Sequence, residues 1–331
     1  MKMLRAISAC LIIICLSFGL SPAQTKAKNK TTPDGFQALA FNNSPELQTI
    51  LDKAVAETIA AFQSKNLKPE YVAATLIDLR DVNNLKTANY RGDQRIYPAS
   101  VVKLFYMTAL ERWLEDGRVK LTPELERGLH DMIVDSSNDA TNYIVDVLTD
   151  TASGAELEAK KFKIYGEKRN VVNRYFTSLG FSNINVNQKT YCEDAYGREQ
   201  QFRDNGKNRN MLTTNAVARL LSEIVLSKAV TPQRSAQMLN LLKRDFAGAS
   251  TDADDQAHGF TGIALNKLNL KDARLWSKAG WTSKTRHDAA YVELPDGSKF
   301  VLVVFTENVA NERDIIPTVA EKVLSGLRNI R

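Results

Sequence analysis

The amino-acid sequence predicts an α+β protein built on one antiparallel sheet flanked by helices. Strand-like segments occur in two groups: 71–79 and 87–97 near the N-terminus, then 274–278, 289–294 and 300–306 near the C-terminus. Between the two groups the apolar residues recur at helical spacing. Strands that are grouped, instead of alternating with helices, are typical of α+β folds. The sequence therefore predicts a five-stranded sheet and a separate all-helical lobe.

Each predicted element has its own local signal. Predicted strands are apolar runs bounded by turn residues, such as the hairpin turn at 295–297. Glycines end two of the predicted helices, at Gly117 and Gly180. The polar stretch 182–210 has few apolar residues, and a loop of this length is usually functional or disordered. The predicted helices are 45–65, 101–116, 125–134, 140–148, 171–179, 213–226, 232–242 and 315–327.

The N-terminal residues predict an exported protein. Residues 1–23 combine Lys2 and Arg5 with an apolar run and small residues at the end, which is the pattern of a secretory signal peptide. The apolar run is too short for a membrane span. We expect residues 24–43 to be a linker and residues 44–331 to form the folded domain, located in the periplasm or secreted. Without the signal peptide Cys192 is the one remaining cysteine, so no internal disulfide is expected.

Composition excludes several kinds of partner. The formal net charge of +6 comes without a basic stripe with interleaved aromatic residues, so nucleic-acid binding is not indicated. His130, His258 and His287 have no ligand-spaced partner in the sequence, which argues against a metal site. The sequence contains no phosphate loop and no dinucleotide fingerprint. We therefore predict no nucleic-acid partner, no metal and no other cofactor, and we expect a monomer.

The stretch 97–105 contains the first candidate for chemistry. Pro98 ends an extended run, so Ser100 falls at or just inside a helix start, and Lys103 lies three residues further on the same helix face. A neutral lysine amine can take a serine proton, and N–H groups at a helix start can stabilise an oxyanion. The alternative is a serine that caps the helix and a lysine that extends to solvent.

Two further motifs follow in chain order. Ser136-Ser137-Asn138 lies between two predicted helices, and Lys278-Ala279-Gly280 ends a predicted strand. Together with Ser100-Val101-Val102-Lys103, these motifs resemble S-x-x-K, S-D-N and K-T-G of penicillin-binding proteins and class A β-lactamases. The resemblance extends from about residue 45 to the C-terminus.

The resemblance implies a role for each matching residue. Ser100 would be the nucleophile that opens a β-lactam or attacks a D-alanyl peptide, and Lys103 would be its general base or part of a proton relay. Ser136 would pass a proton to the leaving nitrogen. Asn138 would bind a substrate amide and orient Lys103. Lys278 would attract the substrate carboxylate and tune Ser136.

The same resemblance places an oxyanion hole at the backbone N–H groups of Ser100 and Trp281. Gly280 fits this arrangement because the acyl group must pass close to the strand backbone. The sequence departs from the family at Ser137, where Asp is usual. It also departs at Ala279, where a Thr or Ser hydroxyl would contact the substrate carboxylate.

The deacylating glutamate of class A enzymes has no clear counterpart, because the E-x-x-x-N pattern is absent. Glu199 is the first candidate and Glu193 the second, with a solvated loop carboxylate as the alternative for both. Three hypotheses stay open. The protein is a β-lactamase, a D,D-peptidase or penicillin-binding enzyme acting on peptidoglycan, or a non-catalytic binding protein on the same scaffold.

Overall fold

The computed structural model describes residues 36–191, 195–248 and 250–329. The predicted signal peptide and most of the predicted linker lie outside these ranges. The last two linker residues, Asn42 and Asn43, form a short strand that pairs with Lys86 and Thr87. Among the described residues, no helix is both long and apolar enough to cross a bilayer.

A single mixed sheet forms the centre of the fold, as the predicted α+β class requires. Its strand order is β1-β3-β2-β7-β6-β5-β4, with β1 parallel to β3 and all other neighbours antiparallel. The strands are β1 (Asn42–Asn43), β2 (Val72–Asp78), β3 (Lys86–Tyr90), β4 (Lys243–Arg244), β5 (Arg274–Trp281), β6 (Thr285–Glu293) and β7 (Lys299–Glu307).

The predicted count of five strands is wrong, because the described part of the sheet has seven. The two additional strands, β1 and β4, are the edge strands and have two residues each. Two residues cannot show the alternation of apolar and polar side chains that identifies a strand in sequence. The five central strands correspond to the five that the sequence predicts.

Helices cover both faces of the sheet. Those that the sequence predicts are present, together with three short or highly charged ones that it does not predict: α5, α7 and α10. The helices are α1 (Pro45–Ala61), α2 (Lys103–Glu115), α3 (Pro123–Ile133), α4 (Asn138–Thr149), α5 (Ala159–Arg169), α6 (Val171–Ser178), α7 (Gly197–Arg203), α8 (Thr214–Val225), α9 (Pro232–Leu242), α10 (Thr261–Lys267) and α11 (Ile315–Asn329).

Two apolar clusters, one on each face of the sheet, form the core. The terminal helices α1 and α11 pack with α10 on one face, and α2 and α8 belong to the cluster on the other. Successive strand residues face opposite sides, so Leu76 and Ile77 of β2 enter different clusters, as do Val303 and Val304 of β7. The apolar residues of β2 and β7 therefore contribute to both clusters, and the nucleophile candidate lies where the start of α2 meets β5.

Candidate active site

Ser100 lies in a 3₁₀ turn, Ala99–Val102, that leads directly into α2. With three residues per turn, the side chains of Ser100 and Lys103 lie on the same side of the turn. Ala99 has a φ of +45°, a strained conformation for a residue with a Cβ, and such strain concentrates at functional sites. The Ser100 hydroxyl does not cap the 3₁₀ turn or α2, so the capping alternative does not describe this serine.

The Lys103 side chain is fully buried and turned towards the loop after α3. Its Nζ donates to the backbone O of Ser136 at 2.6 Å, to Ser136 Oγ at 3.2 Å and to Asn138 Oδ1 at 3.0 Å. A lysine that extends to solvent would keep its amine in water, so that alternative does not hold. Lys103 instead connects the turn of Ser100 to the Ser136-Ser137-Asn138 loop.

Lys278 approaches the same hydroxyl from the sheet. It is fully buried on β5, and its Nζ donates to Ser136 Oγ at 2.9 Å. Ser136 Oγ thus accepts from two amines, which uses both of its lone pairs and leaves its O–H as a donor. Ser136 has a φ of +57°, so its backbone, like that of Ala99, is held in the left-handed region.

The ionisation of Lys278 depends on its burial and on the charges around it. Burial first, and then the positive charges of Lys103 and Arg244, hold the pKa of Lys278 well below its usual range, while Asp288 opposes the shift. Burial raises the pKa of Asp288, whose Oδ2 accepts from the Thr261 hydroxyl at 2.6 Å. Lys278 therefore loses a proton more easily than an exposed lysine does.

The Ser136-Ser137-Asn138 loop ends at the start of α4. Ser137 is the N-cap of this helix, and its Oγ accepts from Ala140 N at 3.2 Å. Asp and Ser are comparable N-caps, so a serine in place of the usual Asp preserves the helix start. Asn138 is the first residue of α4 and faces Lys103, and Asn142 Oδ1 accepts from Thr190 N at 3.0 Å.

Gly280 lets β5 lie against the start of the 3₁₀ turn. A Cβ on Gly280 would stand 2.6 Å from Ser100 N and 2.9 Å from Val101 N. The sequence-based interpretation required room for an acyl group; the structure shows that the close contact is with the backbone of Ser100 itself. Trp281 follows and is 37% exposed. Ala279 is buried within the apolar cluster on the α1 and α11 face.

His287 of β6 pairs with Gly280 and holds the chain that leads into the turn. Its Nδ1 accepts from Thr306 N at 3.2 Å, so Nε2 carries the proton and donates to Tyr97 O at 2.8 Å. Burial lowers the pKa of His287 to about 4, which keeps the ring neutral. Its role is structural, and its position beside a predicted strand is the one sequence signal that points to it.

Glu199, the first candidate for the deacylating base, lies in a buried ion-pair network. It is 1% exposed, so it is not a solvated loop carboxylate. Arg169 Nη1 lies 2.7 Å from its Oε2, and Lys189 Nζ lies 3.3 Å from its Oε1. Tyr165 OH also donates to Oε1 at 2.8 Å. Burial opposes ionisation, but the charges of Arg169 and Lys189 outweigh it and lower the pKa of Glu199.

Glu193, the second candidate, lies outside the described residues. Tyr191 and Ala195, the described residues on either side, line a cavity of about 470 Å³ that Tyr97 and Thr282 also line. This cavity therefore lies beside the segments that contain Ser100 and Trp281.

Several residues at the site carry no recognisable sequence signal. Gln256 and Arg244 contact the end of α3: Gln256 Nε2 and Arg244 Nη2 both donate to Ile133 O. Burial lowers the pKa of Arg244 to about 10. Neither residue belongs to a motif, and only their tertiary contacts reveal them.

Elsewhere, the exposed His130 lies with Asp131 and Asp135 in a group whose ligand atoms are within 4.8 Å of one another.

The described fold and motif geometry define the β-lactamase/transpeptidase class of α+β proteins. The chain belongs to the beta-lactamase enzyme family, whose profile matches residues 54–327. No curated protein sequence matches it.

Solved structures share the fold at low sequence identity. The structure of a beta-lactamase from Sphaerobacter thermophilus DSM 20745 is 20% identical, with a TM-score of 0.62, over 84% of this chain and 98% of that one. PBP-A is 18% identical, with a TM-score of 0.59, over 88% and 100%. A representative of class A beta-lactamase from Bacteroides cellulosilyticus DSM 14838 is 17% identical, with a TM-score of 0.56, over 86% and 99%.

The substitution Gly280→Ala tests the contact between β5 and the turn of Ser100. Because both neighbouring atoms are backbone nitrogens, the new methyl can be accommodated only by moving one of the two segments. We expect a loss of about 1–3 kcal/mol in the free energy of unfolding, measured in urea. Gly166→Ala is the control: it lies inside α5 with 3.5 Å to its nearest neighbour, and should be neutral or stabilising. Equal effects of the two substitutions would contradict the close contact.

The substitution Glu199→Gln tests the buried ion pair. It leaves the Arg169 guanidinium buried without its carboxylate, so we expect a loss of about 3–5 kcal/mol in the free energy of unfolding. The exposed pair Glu124 and Arg127 gives the control, because Glu124→Gln should cost less than about 1 kcal/mol.

The effect of Glu199→Gln should also depend on pH. The pKa of Glu199 is lowered from 4.5 in the folded protein, so the contribution of Glu199 to the free energy of unfolding is complete above that pH and is lost as the pH falls through the lowered value. A wild type and variant that differ equally at neutral and acidic pH would contradict this assignment.

Proposed function

We propose that the protein is a serine hydrolase that opens β-lactam rings through an acyl-enzyme on Ser100, in the manner of class A β-lactamases. One observation carries the proposal: the amines of Lys103 and Lys278 both contact Ser136 Oγ, beside the strained turn that presents Ser100. A structural role for two buried lysines would be served better by carboxylate partners, whereas a proton-transfer role needs this arrangement of amines and hydroxyl.

In the proposed acylation, Ser100 Oγ attacks the lactam carbonyl carbon while Lys103 removes the hydroxyl proton. The C–O bond forms and the carbonyl π electrons move to the oxygen, which the N–H groups of Ser100 and Trp281 stabilise. Collapse of this intermediate breaks the C–N bond. The leaving nitrogen takes the proton of Ser136, and Ser136 regains a proton from Lys103 through their hydrogen bond. Asn138 orients Lys103, and Lys278 holds Ser136 and contributes positive potential for a substrate carboxylate.

Release of the acyl group by water needs a general base, and the contacts of Glu199 bear on its identity. Both oxygens of Glu199 have cationic or hydroxyl partners, and its lowered pKa makes it a weak base. These contacts support a structural role. We therefore propose Glu193 as the base, on its place in the sequence between two residues that line the cavity beside the site.

The second candidate function is that of a D,D-peptidase or penicillin-binding enzyme acting on peptidoglycan, which is acylated but deacylates slowly. The ion-paired state of Glu199 favours this second function, because it removes one candidate for the base that would release the acyl group quickly. PBP-A, which shares the fold, has been solved as an acyl-enzyme complex of a mutant with penicillin G. A non-catalytic binding protein is the third candidate. In all three cases the composition of residues 1–23 supports an exported protein.

Hydrolysis of a chromogenic cephalosporin by residues 24–331, followed by intact-mass spectrometry, tests the proposal. We expect sustained turnover and a transient mass adduct. Ser100→Ala removes the attacking oxygen and should abolish both turnover and adduct. Ser64→Ala is the control: this serine is exposed and belongs to none of the motifs, so its loss should change neither. A stable adduct without turnover would indicate the penicillin-binding enzyme. An adduct that persists in Ser100→Ala, or no reaction at all, would refute the proposed function.

The two glutamates can be separated by the same assay. Glu193→Gln should leave the acylation rate within about threefold and slow release by roughly 10² or more, so that the acyl-enzyme accumulates. Glu199→Gln should lower the melting temperature without selective accumulation of the acyl-enzyme. Selective accumulation in Glu199→Gln, with normal release in Glu193→Gln, would return the role of base to Glu199.

A further inference from the structure

Gln256 occupies a central place in the site although no catalytic motif contains it. It lies in the segment between β4 and α10 and is 8% exposed. Its Nε2 donates to Ile133 O at 3.2 Å and to Val134 O at 2.8 Å, at the end of α3. Its Oε1 accepts from Lys278 Nζ at 2.5 Å and from Ala279 N at 3.2 Å, on β5. One buried amide thus uses all its hydrogen-bonding groups to join two catalytic segments.

We infer that Gln256 is a positioning residue that holds Lys278 Nζ on Ser136 Oγ by bridging the end of α3 to β5. The inference rests on the proposed function, because it gives Ser136 and Lys278 their proposed roles. Ser136 follows the end of α3 by three residues, so the position of Ile133 and Val134 constrains the position of Ser136. The amide therefore fixes both ends of the contact between Lys278 and Ser136.

The hydrogen bonds of Lys278 show why an acceptor is needed there. An ammonium has three N–H donors, and Lys278 directs them to Ser136 Oγ, Gln256 Oε1 and Ala279 O at 2.5–2.9 Å. Without Gln256, one donor would be buried without a partner, and the amine would turn away from Ser136 to find one.

A neutral amide suits this place better than a carboxylate would. The charged groups that face Lys278 are Lys103 from α2, Arg244 from β4 and Asp288 from β6. A carboxylate at position 256 would pair with Lys278 and hold its proton more tightly. The amide accepts the hydrogen bond without adding that charge, and so preserves the low pKa that burial gives Lys278.

Two substitutions separate the two halves of the amide. Gln256→Glu keeps an acceptor for Lys278 and Ala279 but loses the donors to Ile133 and Val134. Gln256→Met keeps the length and loses every hydrogen bond. If Gln256 positions Lys278, acylation by the chromogenic cephalosporin should fall by roughly 10² in Gln256→Met and by only about tenfold in Gln256→Glu. The alkaline limb of the acylation pH profile should also move to higher pH in Gln256→Glu, because the added carboxylate raises the pKa of Lys278.

Asn266→Leu is the matched control, since the Asn266 amide donates to Phe246 O at 2.8 Å in the same region without contacting Lys278. It should lose stability but keep the acylation rate and its pH profile. If Gln256 only anchors the end of α3, Gln256→Glu will be as slow as Gln256→Met, with an unmoved pH profile. That result would overturn the inference while leaving the proposed function intact.

The pH dependence of thermal unfolding gives a readout that does not need acylation. The pKa of Lys278 is lower in the folded wild type than in the unfolded chain, so stability rises as the pH rises between the two values. In Gln256→Glu the folded pKa is higher, and this rise should shrink. An equal rise in both proteins would overturn the inference even if the wild type is not acylated, and the absence of acylation in the wild type would separately refute the proposed function.

Discussion

Two buried amines that share one serine hydroxyl set the main constraint on this structure. Lys103 extends from α2 and Lys278 from β5, and both amines donate to Ser136 Oγ. Burying two such groups side by side costs free energy unless each donor has an acceptor. The surrounding backbone and amide oxygens supply those acceptors. The positions of α2, the loop after α3, and β5 all follow from this requirement.

The long polar segment after α6 is ordered by a second charged network. Glu199, Arg169 and Lys189 are all buried, and Lys189 also pairs with Asp146 of α4 at 2.6 Å. Helix α7, which carries Glu199, is attached to α4 and α5 by this network and by the buried Phe202, whose ring packs against Phe162 and Tyr165 of α5. Buried ion pairs and one aromatic contact therefore hold a helix within the stretch that the sequence analysis treats as a long polar loop.

The sequence was sufficient to predict the architecture, and insufficient to predict the surroundings of the motif residues. Strand grouping and helical periodicity are local signals, so the five central strands and the main helices could be predicted. The edge strands β1 and β4 are too short to produce such a signal. Gln256 could not be found in the same way, because its partners lie far away in the chain and its role depends on distances. The burial of Glu199 was also invisible, since a carboxylate in a polar stretch has the same sequence context whether it is solvated or ion-paired.

The close fit between Gly280 and the turn of Ser100 also affects how the protein matures. The turn is synthesised early, whereas β5 is among the last strands to leave the ribosome, and contacts between such distant segments form late in folding. Until β5 docks, Ser136 has only one of its two amines, and the turn of Ser100 lacks the strand beside it. A chain whose β5 has not docked therefore lacks the contacts of Lys278 with Ser136 and of Gly280 with the turn of Ser100. The site that we propose for acylation is therefore assembled only when the central sheet is complete.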